Sequence, residues 1–225
     1  MPEAPPRQEI EHRTIKLIIG LIAIFLSILT WLLSDPRDPL TSISAAYHQG
    51  GSAQTVFIGF LFAVAAFLLA YNGRKPPERT LSKIAGLCAA AVAVFPCEGP
   101  LDTIHLTYLH YPAAIVLFLI LAFFAWRFYQ RAREKLLADP THIEAAHRAR
   151  LYLACLAGML AAMAMIAYGK LLNPAFKDSF PDYIFWGEAT ALTFFGISWL
   201  IASRTLWFLT RTGERFRPLR DHNPD

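Results

Sequence analysis

Basic residues occupy every second gap between long apolar stretches, and no other feature of this chain restricts its architecture so tightly. Of the 21 Lys and Arg residues, 18 fall in alternate gaps. They are Arg7, Arg13 and Lys16 at the amino-terminal arm, and Arg74, Lys75, Arg79 and Lys83 in the second gap. Arg127, Arg131, Arg133, Lys135, Arg148 and Arg150 fill the fourth, with Arg204, Arg211, Arg215, Arg217 and Arg220 at the carboxyl end. The other gaps hold only Arg37, Lys170 and Lys177, and collect instead His48, Glu98, Asp102, His105, His110, Asp178 and Asp182. Short loops between membrane helices keep Lys and Arg on the cytoplasmic side. The pattern predicts an all-α polytopic membrane protein with both termini in the cytoplasm, and with nearly all residues suited to site chemistry on the opposite side.

About 20 apolar residues, each rising about 1.5 Å, cross a bilayer core. Six blocks reach or approach that length, at 15–33, 55–72, 81–96, 112–129, 151–169 and 184–209. With 55% apolar and 17% charged residues the chain is too greasy for a soluble domain of this length. The third block is short and Ala-rich, which predicts a helix packed inside the bundle rather than ringed by lipid. The sixth is long enough to run past the membrane. No block alternates as a barrel strand does. The expected fold is one bundle of six transmembrane helices over 15–209, with a cytoplasmic arm at 1–14 and a cytoplasmic tail at 210–225. The first block has too long a core for a cleaved signal peptide, and a bacterial inner membrane is the expected location.

The net charge of +4 does not imply nucleic acid. The basic residues line a membrane edge facing anionic headgroups, so membrane lipid is the expected partner. Cys88 and Cys155 fall in mid-span as small apolar groups, Cys97 stands alone at an outer boundary, and no metal-type spacing links them. Segment 127–150 reads as an extension of the fourth helix, a break at Asp139-Pro140 and a restart. Thr141 is the expected N-cap, with Glu144 three residues on. His142 and His147 are read there as part of a solvated helical face.

The outer gaps carry the chemistry. In Thr41-Ser42-Ile43-Ser44-Ala45-Ala46-Tyr47-His48, helical winding puts Ser44 and His48 on one face. Asp102 and His105 share a turn in the same way, and His110 stands two residues before Pro112 at the mouth of span four. Glu188 lies about one turn inside span six, where a carboxylate is expensive and usually marks a site facing the bundle interior. Imidazole and carboxylate together form a set suited to zinc, so His48, His110 and Glu188 are candidate metal ligands, with Ser44 and Asp102 orienting them. A bound, acidified water would attack an ester or amide. No His-Glu-x-x-His, nucleophile elbow or phosphate-binding loop accompanies these residues, and no stacked histidine pair favours a haem.

The run from Ser42 to His48, then Val56-Phe57-Ile58-Gly59-Phe60-Leu61, Tyr71-Asn72-Gly73, Leu109-His110-Tyr111-Pro112-Ala113-Ala114 and Phe185-Trp186-Gly187-Glu188-Ala189 through Leu200, resembles a family of bacterial six-helix membrane proteins. That family is similar in layout to the Frag/DRAM/Sfk-type proteins. A more distant resemblance is to the CREST superfamily of membrane hydrolases, which includes the alkaline ceramidases. The Ser44–His48 pair matches that superfamily's first element, and Asp102, His105 and His110 stand loosely for the rest. The resemblance implies a zinc-dependent hydrolase. The His-x-x-x-His of its final helix is missing here, where span six carries Glu188, and its usual seven helices exceed the six blocks counted.

Two functions follow as expectations. One is a membrane-embedded enzyme that hydrolyses a lipid ester or amide, or transfers an acyl group, at the outer leaflet. There Ser44, His48, Asp102, His110 and Glu188 form the site. The other is a non-enzymatic lipid-binding, transport or sensor protein. No helix is broken at mid-membrane and no polar track continues inward, which argues against a transporter.

Overall fold

Helix boundaries fall where the chain meets proline, glycine or a run of polar residues. The structure is a computed structural model and describes residues 12–95, 97 and 107–215. It contains α1 (His12–Leu32), α2 (Ala46–Gln49), α3 (Gly51–Ala70), α4 (Pro76–Val94), α5 (Thr107–Ala138), α6 (Ile143–Ala167), α7 (Phe176–Ser179) and α8 (Tyr183–Ser203). A π-helical turn, Tyr168–Leu172, continues α6, and two 3-10 turns, Trp207–Leu209 and Thr212–Glu214, follow α8. Among the described residues there is no strand. Proline opens α4, where its fixed φ suits a first turn.

Five helices are long and apolar enough to cross a membrane: α1, α3, α5, α8, and α6 with its π turn. The third expected span, α4, is not among them. It has 19 residues, and its first turns carry Glu78, Arg79 and Lys83. Large apolar side chains such as Phe25, Trp31, Leu87, Leu119 and Leu171 stand exposed around the bundle, as a lipid-facing surface requires.

The six long helices close into a ring in the order α1, α3, α4, α5, α6, α8, with α5 also touching α8 across it. The α4 helix occupies a place in that ring rather than its centre. Ser82, Ala85, Gly86, Ala89 and Ala93 are buried, but Leu87 on the other side is 64% exposed. The expectation of a helix shielded from lipid thus holds only for its small-residue stripe.

The tightest crossing joins α1 to α8. A Cβ on Gly20 would lie 2.8 Å from the Gly196 carbonyl oxygen, and one on Gly196 would lie 2.7 Å from that of Gly20. Below this crossing Trp199, fully buried, packs against Tyr71, Phe124, Phe128 and Phe195 at centroid distances of 5.2–5.7 Å. This aromatic plug fills the middle of the ring.

Four local expectations are corrected. The sixth block does not continue as helix to 209. At Arg204 the backbone turns left-handed, at φ 67, and the chain folds back so that Leu209 and Thr210 are buried. The N-cap of α6 is His142, whose ring accepts from the Ala145 N–H at 3.3 Å, while Thr141 donates to Asp139 instead. His142 is buried and not solvated, although His147 is exposed as expected. Pro112 lies inside α5, because the helix begins at Thr107 and takes His110 into its first turns.

Replacing Gly20 with Leu should drive α1 from α8 and lower stability by about 1–3 kcal/mol, the usual range for overpacking. Gly59→Leu, where nothing lies within 4 Å of the added carbon, should leave the thermal unfolding midpoint in detergent unchanged.

Candidate functional site

Of the outer residues singled out by sequence, Asp102 lies outside the described residues, as do Glu98 and His105. The other four gather at one end of the ring, where each is held mainly by backbone or by a neighbouring loop. A Glu188 oxygen accepts the Ile43 N–H at 2.7 Å, which ties α8 to the loop between α1 and α2. About one turn earlier on that helix, the Phe185 N–H donates to the Thr41 carbonyl at 3.0 Å. Ser44 is buried, and its hydroxyl meets that of Ser42 at 3.1 Å. His48 Nε2 sits 2.6 Å from the Cys97 carbonyl, and the Cys97 thiol donates to the Ser44 carbonyl at 3.4 Å. His110, buried within α5, places Nδ1 at 2.8 Å from the Phe95 carbonyl.

The arrangement is a clasp. Two imidazoles, a thiol and a carboxylate satisfy backbone groups left open where helices end, as buried polar backbone demands. Ser44 and His48 make no hydrogen bond to each other. Among the described residues no three His, Cys, Asp or Glu side chains are grouped so as to hold a metal ion. All three cysteines are free thiols.

The opposite end is built quite differently. It carries both described chain ends and a cavity of about 690 Å³, a volume typical of ligand sites. The lining brings together six cationic side chains, Arg13, Lys16, Arg74, Arg131, Lys135 and Arg204, and two carboxylates, Glu134 and Glu214. Tyr71, Phe128 and Tyr152 supply apolar wall above the aromatic plug.

Each element has a reason to be there. Glu78 is 1% exposed and takes Arg127 Nε at 3.1 Å, Arg131 and the Arg74 N–H at 2.9 Å, joining the α3–α4 turn to α5. Gly73 allows that turn, since its φ is +63 and a Cβ there would strike Glu78 at 2.5 Å. Lys16, one helical turn into α1, is 8% exposed; its ammonium lies 5.7 Å from the Tyr71 ring centre and 5.5 Å from that of Phe128. Among the described residues it has no carboxylate partner. Cation–π contacts replace only part of the hydration that burial removes.

Glu214, brought over by the reversal at Arg204, is the centre of a second convergence. Its Oε1 pairs with Lys135 and stands 3.7 Å from His142 Nε2; its Oε2 takes Arg204 Nη1 at 3.1 Å and faces Arg148 Nη2 at 3.5 Å. Partial burial alone would raise this carboxyl. The Lys135 hydrogen bond and the charges of Arg204, Lys135 and Arg148 outweigh it and bring the group down to about 2. Its contribution is therefore complete above the ordinary value of 4.5 and is lost as pH falls toward 2. Arg148 is fully buried. Its Nη1 donates to the Leu209 carbonyl at 2.5 Å, while Nε and Nη2 have no hydrogen-bond acceptor.

Sequence reasoning missed this end because it read Lys and Arg there as headgroup-facing edge. One signal was present. Lys16 falls inside the first apolar block, where a charge needs a local explanation. Arg148 and Glu214 carried no such mark, since their pairing depends on the reversal at Arg204. Comparison with protein-family models, with curated proteins and with solved structures finds no match for this chain.

If Glu188 is a clasp, the amide oxygen of Glu188→Gln should still accept from Ile43 and leave the unfolding midpoint near that of the parent. Glu188→Ala should lose about 1–3 kcal/mol by stranding a buried N–H. A thermal unfolding series in detergent distinguishes the two.

Proposed function

We propose that the chain is an integral membrane protein that binds an anionic membrane ligand without transforming it, in the cavity lined by Lys16. In this reading α4 crosses the bilayer with the other five long helices. Alternating basic loops put both termini and the cavity on the cytoplasmic side of a bacterial inner membrane. The observation that carries the proposal is Lys16: a buried ammonium without a carboxylate partner among the described residues, facing a cavity of ligand size rich in cations. Such a group is unfavourable to folding by itself and becomes favourable once an anion sits against it.

The clasp at the other end has a structural role in this account. The competing reading is a metal-dependent lipid hydrolase or acyltransferase. What favours it is that Ser44, His48, His110 and Glu188 do gather at one end, with Cys97 between them. Purified protein carrying stoichiometric zinc, lost in His48→Ala, would support that alternative against the present one.

The binding site and the fold make opposite demands on Lys16. Lys16→Met should raise the thermal unfolding midpoint of the ligand-free protein and weaken binding of dihexanoyl phosphatidic acid by about tenfold or more, since charge-assisted contacts contribute roughly 1.5–3 kcal/mol. Dihexanoyl phosphatidylcholine should bind neither form measurably. Equal affinity of parent and variant for the acidic lipid would remove the proposal.

A further inference from the structure

A ligand that enters this cavity meets a carboxylate belonging to the chain itself. We propose that the anion site is made for a phosphomonoester group and that Glu214 is its built-in, displaceable occupant. This rests on the binding reading above and goes further by naming both the ligand class and the competitor.

Three observations converge. Four basic side chains, Lys135, His142, Arg148 and Arg204, are directed at the two oxygens of one carboxylate. That carboxylate does not satisfy them all. Arg148 is fully buried, and its Nε and Nη2 lack acceptors, with the nearer Glu214 oxygen 3.5 Å from Nη2. Lys16, buried at the wall of the cavity that Glu214 lines, has no carboxylate partner among the described residues. A carboxylate brings one charge and two acceptor oxygens. A phosphomonoester brings close to two charges and three terminal oxygens, one acceptor and nearly one charge more than Glu214 offers the same cations. Arginine's planar fork is suited to that geometry.

Displacement requires the segment bearing Glu214 to give way. It begins at Arg204, a non-glycine residue in the left-handed region, a conformation that costs roughly 1–2 kcal/mol. It is then held by short 3-10 turns, by Leu209 and by the Glu214 contacts. When phosphate takes the cations, the main electrostatic anchor of the segment is lost and the strained turn at Arg204 is free to relax.

The shared chemistry admits two sources, a lipid headgroup or a soluble phosphate. The full chain in phosphatidylcholine nanodiscs, titrated with dihexanoyl phosphatidic acid, inorganic phosphate and decanoate, separates them. Glu214→Gln should bind dihexanoyl phosphatidic acid at least about fivefold more tightly than the parent, the low end of measurable coupling. In the parent, this lipid should speed amide exchange over 205–215 while slowing it in the first turns of α1. Decanoate should bind both forms weakly. Inorganic phosphate binding as tightly as the lipid assigns a soluble ligand; much weaker binding assigns the headgroup.

Unchanged or weaker binding by Glu214→Gln, or slower exchange over 205–215 on titration, overturns the displacement while Lys16→Met still tests the cavity. If Glu214→Gln does not fold, the exchange experiment on the parent decides alone. Decanoate matching phosphatidic acid overturns the phosphate class. Absence of binding by both the parent and Glu214→Gln removes the cavity reading along with this one.

Discussion

A buried carboxylate held by two arginines sets the shape of the basic end. Without its partners Glu78 would be an uncompensated charge at 1% exposure, a loss that single-partner removal from buried pairs puts at about 3–5 kcal/mol. With Arg127, Arg131 and the Arg74 N–H around it, it fixes the α3–α4 turn against α5 and aims Arg131 along the cavity wall. Arg131, held in this way, and Lys16 both line the cavity, which the terminal segment reaches through the reversal at Arg204. Replacing the group with a neutral side chain would leave two arginines pointing at each other.

The two ends of the ring solve opposite problems. At one end the chain has surplus backbone polar groups where helices stop, and it satisfies them with His48, His110, Cys97 and Glu188. At the other it has surplus side-chain charge, part of which Glu78 and Glu214 offset; among the described residues Lys16 and part of Arg148 stay open. The aromatic plug around Trp199 separates them. A polar pathway through the middle is thereby absent among the described residues, which suits binding from one side better than passage across.

Much of the fold was legible because it is written in long-range periodic signals. Apolar blocks located all six long helices, with the ends shifted by a few residues where polar residues such as His12 and Glu144 extend a helix beyond its greasy core. The alternation of charge separated the basic residues from the His- and carboxylate-bearing gaps, but assigned site chemistry to the latter alone. The sites were less legible. His48, Ser44, His110 and Glu188 lie at one end of the bundle, yet their partners there are mainly carbonyls and N–H groups, and a sequence does not show which backbone groups lie open. Lys16 was visible inside an apolar block and was counted only as a topological charge. Arg148 and Glu214 are 66 positions apart in the chain, and their meeting depends on one left-handed residue, Arg204. No spacing rule reaches that far.

The central claim is that the cations at the basic end surround a place for an anion, and a density map of the full chain in nanodiscs containing phosphatidic acid tests it most directly. The account predicts headgroup density within ion-pair distance of Lys16 and Arg148, with the Glu214 carboxylate displaced from Lys135. A map with Lys16 paired to a protein carboxylate, or with the cavity filled by side chains and no headgroup density, would contradict it.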